Sequence, residues 1–310
     1  MNIPVNISLC VATYRRPDRL AALLADLVKQ QRLPDEVVVV DNDAVGSARG
    51  VVERRRQLGA PFPIYYEIQP IKNISLTRNR TVALASGEWI AFVDDDERAP
   101  EAWLEQLIAT AIRESADGVL GPVVPIVPAD APAWIRHGNF YAWARMETGA
   151  IIPLNKLRFG NVLLRGTLLR DTPAPFDPAY GLTGGEDGDL LGRLAQSGAR
   201  IVWCDGAVVH EPVETARLSL RWLLLRALRG GQDFARHRLT GRFGHLTSTG
   251  RVRLFLRALL QSALAAVLAL VSWPRGHHRA VYWLLKLSAN VGKMSIFLGW
   301  HYREYGSKPA

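Results

Sequence analysis

Short, nearly continuous apolar runs alternate along the first half of the chain with longer segments whose apolar residues return every three or four positions. Ile7 to Ala12, Glu36 to Val40, Ile64 to Ile68 and Trp89 to Val93 have the length and composition of strands buried on both faces. Leu20, Leu23, Leu24 and Leu27 follow the first run at helical spacing, and Pro34 stops that segment. Ile74 to Ala85 predicts a helix carrying Arg78-Asn79-Arg80 and closed by Ser86-Gly87, and Ala102 to Ser115 predicts another with Trp103, Leu104, Leu107, Ile108 and Ala111 on one face. Further strands are expected at Gly118 to Val127, Phe159 to Arg165, Ile201 to Trp203 and Ala207 to Val209. This alternation predicts an α/β fold with a doubly wound, Rossmann-like, mostly parallel sheet flanked by helices.

The pattern changes in the last third. RLSLRWLLLRALRGG, from Arg217, sets Arg217, Arg221, Arg226 and Arg229 among leucines, a basic amphipathic helix that suits either a membrane surface or a core with a solvated arginine edge. Leu254 to Trp273 is apolar but interrupted by Arg257 and Gln261, and Ala280 to Trp300 is broken by Lys286, Asn290 and Lys293. The two stretches predict a helical hairpin lying on or embedded in a membrane leaflet, with two full spans as the alternative. The expected division is a catalytic domain over residues 1–235 and a membrane-associating helical region over 236–310.

Charge sharpens this division. Residues 211–310 carry 16 Lys and Arg against 4 Asp and Glu, a net +12, whereas residues 1–210 carry 22 against 25, a net −3. A basic tail on a slightly acidic body points to a polyanionic partner. No nucleic-acid motif accompanies the charge, and the apolar runs between the arginines suit an anionic lipid surface, so no nucleic acid is expected as a partner. The two cysteines, Cys10 and Cys204, lie in apolar runs without metal-site spacing and read as buried reduced thiols. MNIPVNISLC lacks a basic segment followed by a long apolar core, so no signal peptide is expected.

Two acidic groups carry the chemistry. Asp94, Asp95 and Asp96 arrive together where the fourth strand ends, the end at which open α/β sheets gather ligands. Adjacent carboxylates repel each other, and this density of oxygen ligands suits Mg2+ or Mn2+; an acidic solvated turn is the alternative. The second group, Gly184-Gly185-Glu186-Asp187-Gly188-Asp189, opens a helix, where capping explains one carboxylate better than three. It lacks the spaced ligands of a calcium loop. The loop after the first strand, TYRRP, has no GxGxxG, and neither GxxxxGK[ST] nor GxSxG occurs, which sets aside nicotinamide, P-loop and α/β-hydrolase readings.

A first strand ending in Thr13-Tyr14-Arg15, a second ending in Asp41-Asn42-Asp43, then SLTRNRTVALASGEWIAFVDDD, resembles the nucleotide-sugar-binding half of a family 2 glycosyltransferase with the GT-A fold. The resemblance covers about residues 5–235 and is nearest to bacterial glucosyltransferases of succinoglycan-type exopolysaccharide assembly. It implies that Thr13, Tyr14 and Arg15 lie along the nucleoside and phosphates of a UDP-sugar, with Asp41 on the uracil or ribose. Arg78 would sit near the diphosphate or base, Asn79 would support that loop, and Asp94 and Asp95 would belong to the donor site. Asp96, with Asp94 and His210, would hold the divalent metal; Asp187 would be the catalytic base, and Glu186 would orient the acceptor or its loop. Gly160-Asn161 would line the donor sugar pocket. The residues themselves also allow plainer readings: Asp41 as a strand-end cap, Arg78 as a surface arginine, His210 as a structural imidazole. Trp134, Tyr141 and Trp143 could stack on sugar rings or simply pack. The implied function is an inverting, metal-dependent hexosyltransferase moving glucose to a polyprenyl-diphosphate-linked acceptor at the cytoplasmic face of the bacterial inner membrane. An inactive nucleotide-sugar-binding protein at the membrane is the alternative.

Overall fold

In the computed structural model, residues 5–241 and 244–303 are described. The chain forms two compact units. Among the described residues, one runs to Val124 and resumes over Trp143–Glu211, and the other takes Pro125–Ala142 and the chain from Pro212 to residue 303.

The first unit is built on β1 (Ile7–Thr13), α1 (Pro17–Leu27), β2 (Glu36–Asp41), α2 (Arg49–Gln57), β3 (Ile64–Ile68), α3 (Ile74–Leu84), β4 (Trp89–Val93), α4 (Trp103–Arg113) and β5 (Gly118–Leu120). Its strands β1, β2 and β4 are buried along almost their whole length, as their continuous apolar runs require. The chain then turns at Gly121-Pro122 into β6 (Val123–Ile126), so the single strand expected over Gly118 to Val127 is two. Glycine is needed there: a Cβ on Gly121 would lie 2.2 Å from the Ala207 carbonyl oxygen.

After α5 (Ala133–Gly138) come β7 (Asn161–Arg165), α6 (Thr167–Arg170), α7 (Glu186–Gln196), β8 (Ile201–Trp203) and β9 (Val209–Pro212). The main sheet has the order β3-β2-β1-β4-β7-β5-β8, with β6 paired to β9 separately. Only β7 runs against its neighbours; β1 pairs in parallel with both β2 and β4. Sequence order reverses at that point, so the crevice between the C-terminal ends of β1 and β4 is the switch point at which such sheets bind ligands. In register, Thr13 lies beside Asp41, and antiparallel β7 brings Asn161 beside Val93, which sets Gly160 next to the start of the acidic triplet. Helices cover both faces over two apolar clusters, one centred on Leu9, Val37, Leu104 and Leu107, the other on Phe92, Phe176, Leu191 and Trp203.

The second unit holds α5, α8 (Leu220–Leu239), α9 (Ser248–Ser272) and α10 (His277–Phe297). α10 packs against both α8 and α9. The helix α8 therefore belongs with the membrane-like hairpin and not with the sheet, and a boundary at residue 235 would cut through its last turn. The α8–α10 crossing is close enough to demand glycine: a Cβ on Gly231 would meet the Ala289 carbonyl oxygen at 1.8 Å, and one on Gly292 the Leu228 carbonyl oxygen at 2.0 Å. α9 turns a stripe of small residues, Ala258, Ser262, Ala265 and Ala269, inward. Ser248–Arg275 is long and apolar enough to cross a membrane, an 18-residue window within it reaching a mean hydropathy of 2.1.

Candidate active site

Acid residues from both motifs converge through one arginine. Arg78, on the buried side of α3, donates through Nη1 to Glu186 Oε1 at 2.6 Å and through Nη2 to Asp94 Oδ1 at 3.2 Å. Its guanidinium lies over the Phe159 ring at 4.6 Å and near Phe176 at 5.8 Å; Phe176 stands edge to face on both Phe92 and Phe159, and Phe159 packs tilted on Phe92. Asn79 fixes this support by pairing with both the N–H and the carbonyl of Phe176, at 2.8 and 2.7 Å. Arg78 is thus neither a surface arginine nor an open cation awaiting phosphate. It joins the two acidic loops.

The glycines that open the second motif are both left-handed, at φ +79° and +95°, a conformation that favours glycine. They turn the chain into α7 so that its first residues face Asp94. Glu186 is buried against Arg78, and Asp189 is fully buried, accepting from Arg193 at 2.9 Å. Asp187 is the half-exposed member, with Oδ1 accepting from the Gly188 N–H at 2.7 Å. Asp187 therefore has the carboxylate of that motif open to a ligand.

The triplet after β4 divides its duties. Asp95 turns inward, accepting from Thr13 Oγ1 at 2.7 Å and from Arg16 at 3.2 Å, and burial pushes its carboxyl up to about 6 despite Arg16. Asp96 is buried beside Arg16 at 3.0 Å and Arg19 at 3.7 Å. Asp94 is the open one, with 46% of its side chain reachable. Its carboxyl is raised by its enclosure in protein; Arg78 opposes that shift, and the charges of Asp96 and Asp187 add to it. Glu97, which the triplet reading passed over, is fully enclosed and accepts from the Asp94 N–H at 3.1 Å. Burial first, then the charges of Asp94 and Asp96, hold its carboxyl well above the usual range. A Cβ on left-handed Gly160 would come 2.8 Å from Glu97 Oε1, so this glycine is what lets β7 approach the triplet.

Thr13 is buried and spent on Asp95, while Tyr14 and Arg15 form the rim of the loop after β1. Arg15 is 62% exposed, pairs with Asp43 at 3.3 Å, and is held at φ +55°, a strained conformation for a side-chain-bearing residue. Arg15 and Lys72 stand 5.2 and 4.8 Å from the centre of the Tyr14 ring. Sequence reading missed Lys72, whose only signal is its place in the loop after β3. Asp41 is fully buried: its oxygens accept from the N–H groups of Asp43 and Ala48 and from Tyr66 Oη, so it shapes the loop over residues 42–48 from beneath. Asn161 also faces inward, joining Trp103 Nε1 to the carbonyls of Pro122 and Ala207, and leaves the lining position to Gly160.

His210 pairs by backbone with Arg98, two residues beyond Asp96, at 2.8 and 2.9 Å. Among the described residues no three His, Cys, Asp or Glu side chains stand together as a metal-holding group, so Asp94, Asp96 and His210 do not form one. The crowded carboxylates fit a divalent ion that takes one or two protein oxygens and completes its shell with ligand phosphates and water, as Mg2+ does. Of the three aromatic candidates, Trp134 packs on Phe140, and Tyr141 is buried on Trp222 with its hydroxyl on the Arg217 carbonyl. Trp143 is 55% exposed beneath Arg158 at 4.0 Å.

Comparison with known proteins agrees with this architecture. The model of glycosyl transferase family 2 matches residues 8–164. The chain is 38% identical over 244 residues to succinoglycan biosynthesis protein ExoM of Rhizobium meliloti, a match covering 76% of both chains. It is 29% identical over 216 residues to galactofuranosyltransferase GlfT1 of Mycobacterium tuberculosis, covering 64% of this chain and 68% of that one. Its fold is shared with mannosyltransferase PcManGT of Pyrobaculum calidifontis, solved with GDP-Man and Mn2+, at TM-score 0.62 and 16% identity over 96% of this chain and 88% of that one. Residues 1–349 of S. aureus TarS, solved with UDP, superpose at TM-score 0.53 and 20% identity over 96% and 93% of the two chains. With half its length matched by the family model and 76% of it matched by a relative at 38% identity, the chain is a glycosyltransferase and belongs to glycosyl transferase family 2.

Proposed function

We propose that the protein transfers a hexose, with inversion, from a UDP-sugar to a hydroxyl of a lipid-linked saccharide during bacterial exopolysaccharide synthesis. The observation that carries this reading is the approach of Asp187 to Asp94 through Arg78 and Glu186. One carboxylate open to a ligand then serves the donor side and another the acceptor side. Tyr14, Arg15 and Lys72 would receive the nucleotide at the switch point, a ring flanked by two cations suiting a base and its phosphates.

The acceptor oxygen attacks C1 of the donor sugar as Asp187 takes its proton, and the bond from C1 to the diphosphate oxygen breaks with its electron pair leaving on UDP. A divalent ion, when bound, would be held by Asp94 and Asp96 and would neutralise charge on the departing diphosphate. Glu186 and Arg78 keep the base loop in register with the donor loop and touch no reacting atom themselves. Similarity to a succinoglycan biosynthesis protein supports the exopolysaccharide assignment; glucose is the sugar we propose. The apolar α9 and the basic tail support placement of the second unit at the inner, cytoplasmic face of the membrane, within reach of a polyprenyl-diphosphate-linked acceptor.

The test is nucleotide release from a panel of UDP- and GDP-sugars with Mn2+, Mg2+ or EDTA, with and without a lipid-linked acceptor extract. Metal-dependent, acceptor-stimulated UDP release from UDP-glucose is expected. Release from a GDP-sugar alone, or undiminished release in EDTA, overturns the donor or the metal assignment. Binding of UDP without release from any donor favours a nucleotide-sugar-binding protein.

A further inference from the structure

The second unit contains a groove that the transferase reading does not use. It runs between the C-terminal half of α9 and the first half of α10, has a volume of about 300 Å3, and is lined by Ala266, Ala269, Leu270, Trp273, Leu284 and Leu287. Every one of these side chains is apolar. Antiparallel helices normally close such a seam; here the alanines of α9 are too small to fill it. Leu270 links the groove to the outside, for it also belongs to an exposed apolar face with Leu256, Leu260, Leu264, Val267 and Val271. α9 packs on α10 and leaves this opposite face uncovered by any described part of its own unit.

The groove ends in positive charge. Trp273 lies 5.1 Å from the His277 ring; the short turn it begins ends in Arg275, and the first turn of α10 adds His278 and Arg279. Arg275 folds back to donate to the Val271 carbonyl at 2.8 Å, which holds its charge at the end of α9. From α5, His137 meets His278 at 6.1 Å, beside Arg136. No carboxylate competes in the sequence: residues 234–303 contain eleven Lys and Arg and no Asp or Glu. An apolar channel with a purely cationic end matches an amphiphile with a hydrocarbon chain and a negative headgroup.

We infer that this groove is a binding site for one anionic phospholipid of the bilayer, its acyl chain between α9 and α10 and its phosphate at Arg275 and Arg279. The inference rests on the membrane placement proposed above and adds a specific, stoichiometric lipid to it. The bilayer is the source of the ligand because the groove opens, through Leu270, onto the same apolar face that would lie in lipid. A seated chain would also fill the seam and stiffen the hairpin, since each buried methylene favours the occupied state.

The experiment uses the full chain purified in detergent. It is offered equal amounts of phosphatidylglycerol and phosphatidylcholine with identical acyl chains, and retained lipid is counted by native mass spectrometry. Co-sedimentation with phosphatidylglycerol vesicles is measured in parallel. The wild-type chain is expected to retain a single phosphatidylglycerol in preference to phosphatidylcholine. Ala266→Trp, which fills the groove from a half-buried position, should cut that retention by about tenfold or more, the loss expected when a few methylenes are unseated. Its co-sedimentation should stay at the wild-type level, because the outward leucines are untouched. Ala266→Leu gives the same direction with a smaller intrusion, should the tryptophan variant fail to fold. Arg275→Gln with Arg279→Gln should abolish the headgroup preference.

Undiminished retention in the folded Ala266 variants, or equal retention of both lipids by wild type, overturns the inference while leaving the membrane placement intact. A retained mass equal to a second chain, released by Ala266→Trp, overturns it in favour of self-association. Failure of the wild-type chain to sediment with vesicles overturns the membrane placement and the groove together.

Discussion

Arg78 and Glu186 meet at 2.6 Å although 108 residues separate them in the chain, and the pair is buried. A buried charge that loses its partner carries its desolvation penalty uncompensated, so Arg78→Met should destabilise the protein by about 3–5 kcal/mol. Glu186→Leu should cost a similar amount. The double variant should recover a large part of the loss, because neither member of the buried pair is then left uncompensated and Asp94, which also loses Arg78, is open to water. Urea unfolding of the four proteins in a double-mutant cycle measures the coupling. Additive losses would mean that the two side chains serve separate networks.

The same pair predicts a kinetic signature. Asp187→Asn keeps the shape of the loop after Gly185 and removes the open carboxylate. Turnover should fall by about 10²–10⁴, the usual contribution of a positioned general base, while UDP affinity by calorimetry stays near the parent value. Arg78→Lys keeps a charge but loses the fork that reaches Glu186 and Asp94 together, so turnover should fall by roughly tenfold with little change in donor affinity. A parent-rate Asp187→Asn enzyme would remove Asp187 from the reaction.

The sheet was legible in the sequence because its strands are buried on both faces, which writes them as continuous apolar runs. α1 and α4 were legible because their apolar residues keep helical spacing. α2 left no such trace: RGVVERRRQ buries only Val52, and its arginines make it look like a loop. The site was legible as two acidic motifs but not as one assembly. Nothing local tells that Arg78 faces inward, since the buried residues of α3 include Ser75, Thr77 and Thr81 and the helix has no apolar stripe. Glu97 read as a continuation of an acidic turn because its burial comes from β7, far along the chain. Asp41 and Asn161 read from the sequence as ligand-facing positions; the partners that hold them inward are largely loop backbone, and loop backbone has no sequence signature.

Both thiols are enclosed in the first unit. Cys10 faces the Thr81 carbonyl at 3.6 Å, and Cys204 accepts from Thr110 Oγ1 at 3.1 Å. Burial pushes the Cys10 thiol up to about 12, so essentially no thiolate is present at neutral pH. Neither cysteine should react with an aromatic disulfide reagent in the native protein, and both should react once denaturant is added. Rapid labelling of native protein would show that the sheet around β1 opens locally.

Two glycine substitutions should have opposite signs, and the reason lies in what surrounds each one. Gly87 ends the turn between α3 and β4, where its N–H donates to Ser8 Oγ at 2.7 Å. A Cβ there would come 2.4 Å from the Ser8 backbone nitrogen and 2.9 Å from the Trp89 carbonyl oxygen, and neither can move without disturbing the pairing of β1 with β4. Gly87→Ala should therefore destabilise the protein by about 1–3 kcal/mol, the range for forced overpacking. Gly50 sits in the first turn of α2 with φ in the ordinary range and no atom within 4 Å of a built Cβ. Alanine there removes backbone freedom from the unfolded chain at no steric cost, so Gly50→Ala should stabilise by about 0.4–1 kcal/mol. Thermal unfolding of the two variants beside the parent reads both signs. Because β4 delivers Asp94, the Gly87 variant should also lose activity below its melting transition, whereas the Gly50 variant should keep parental turnover.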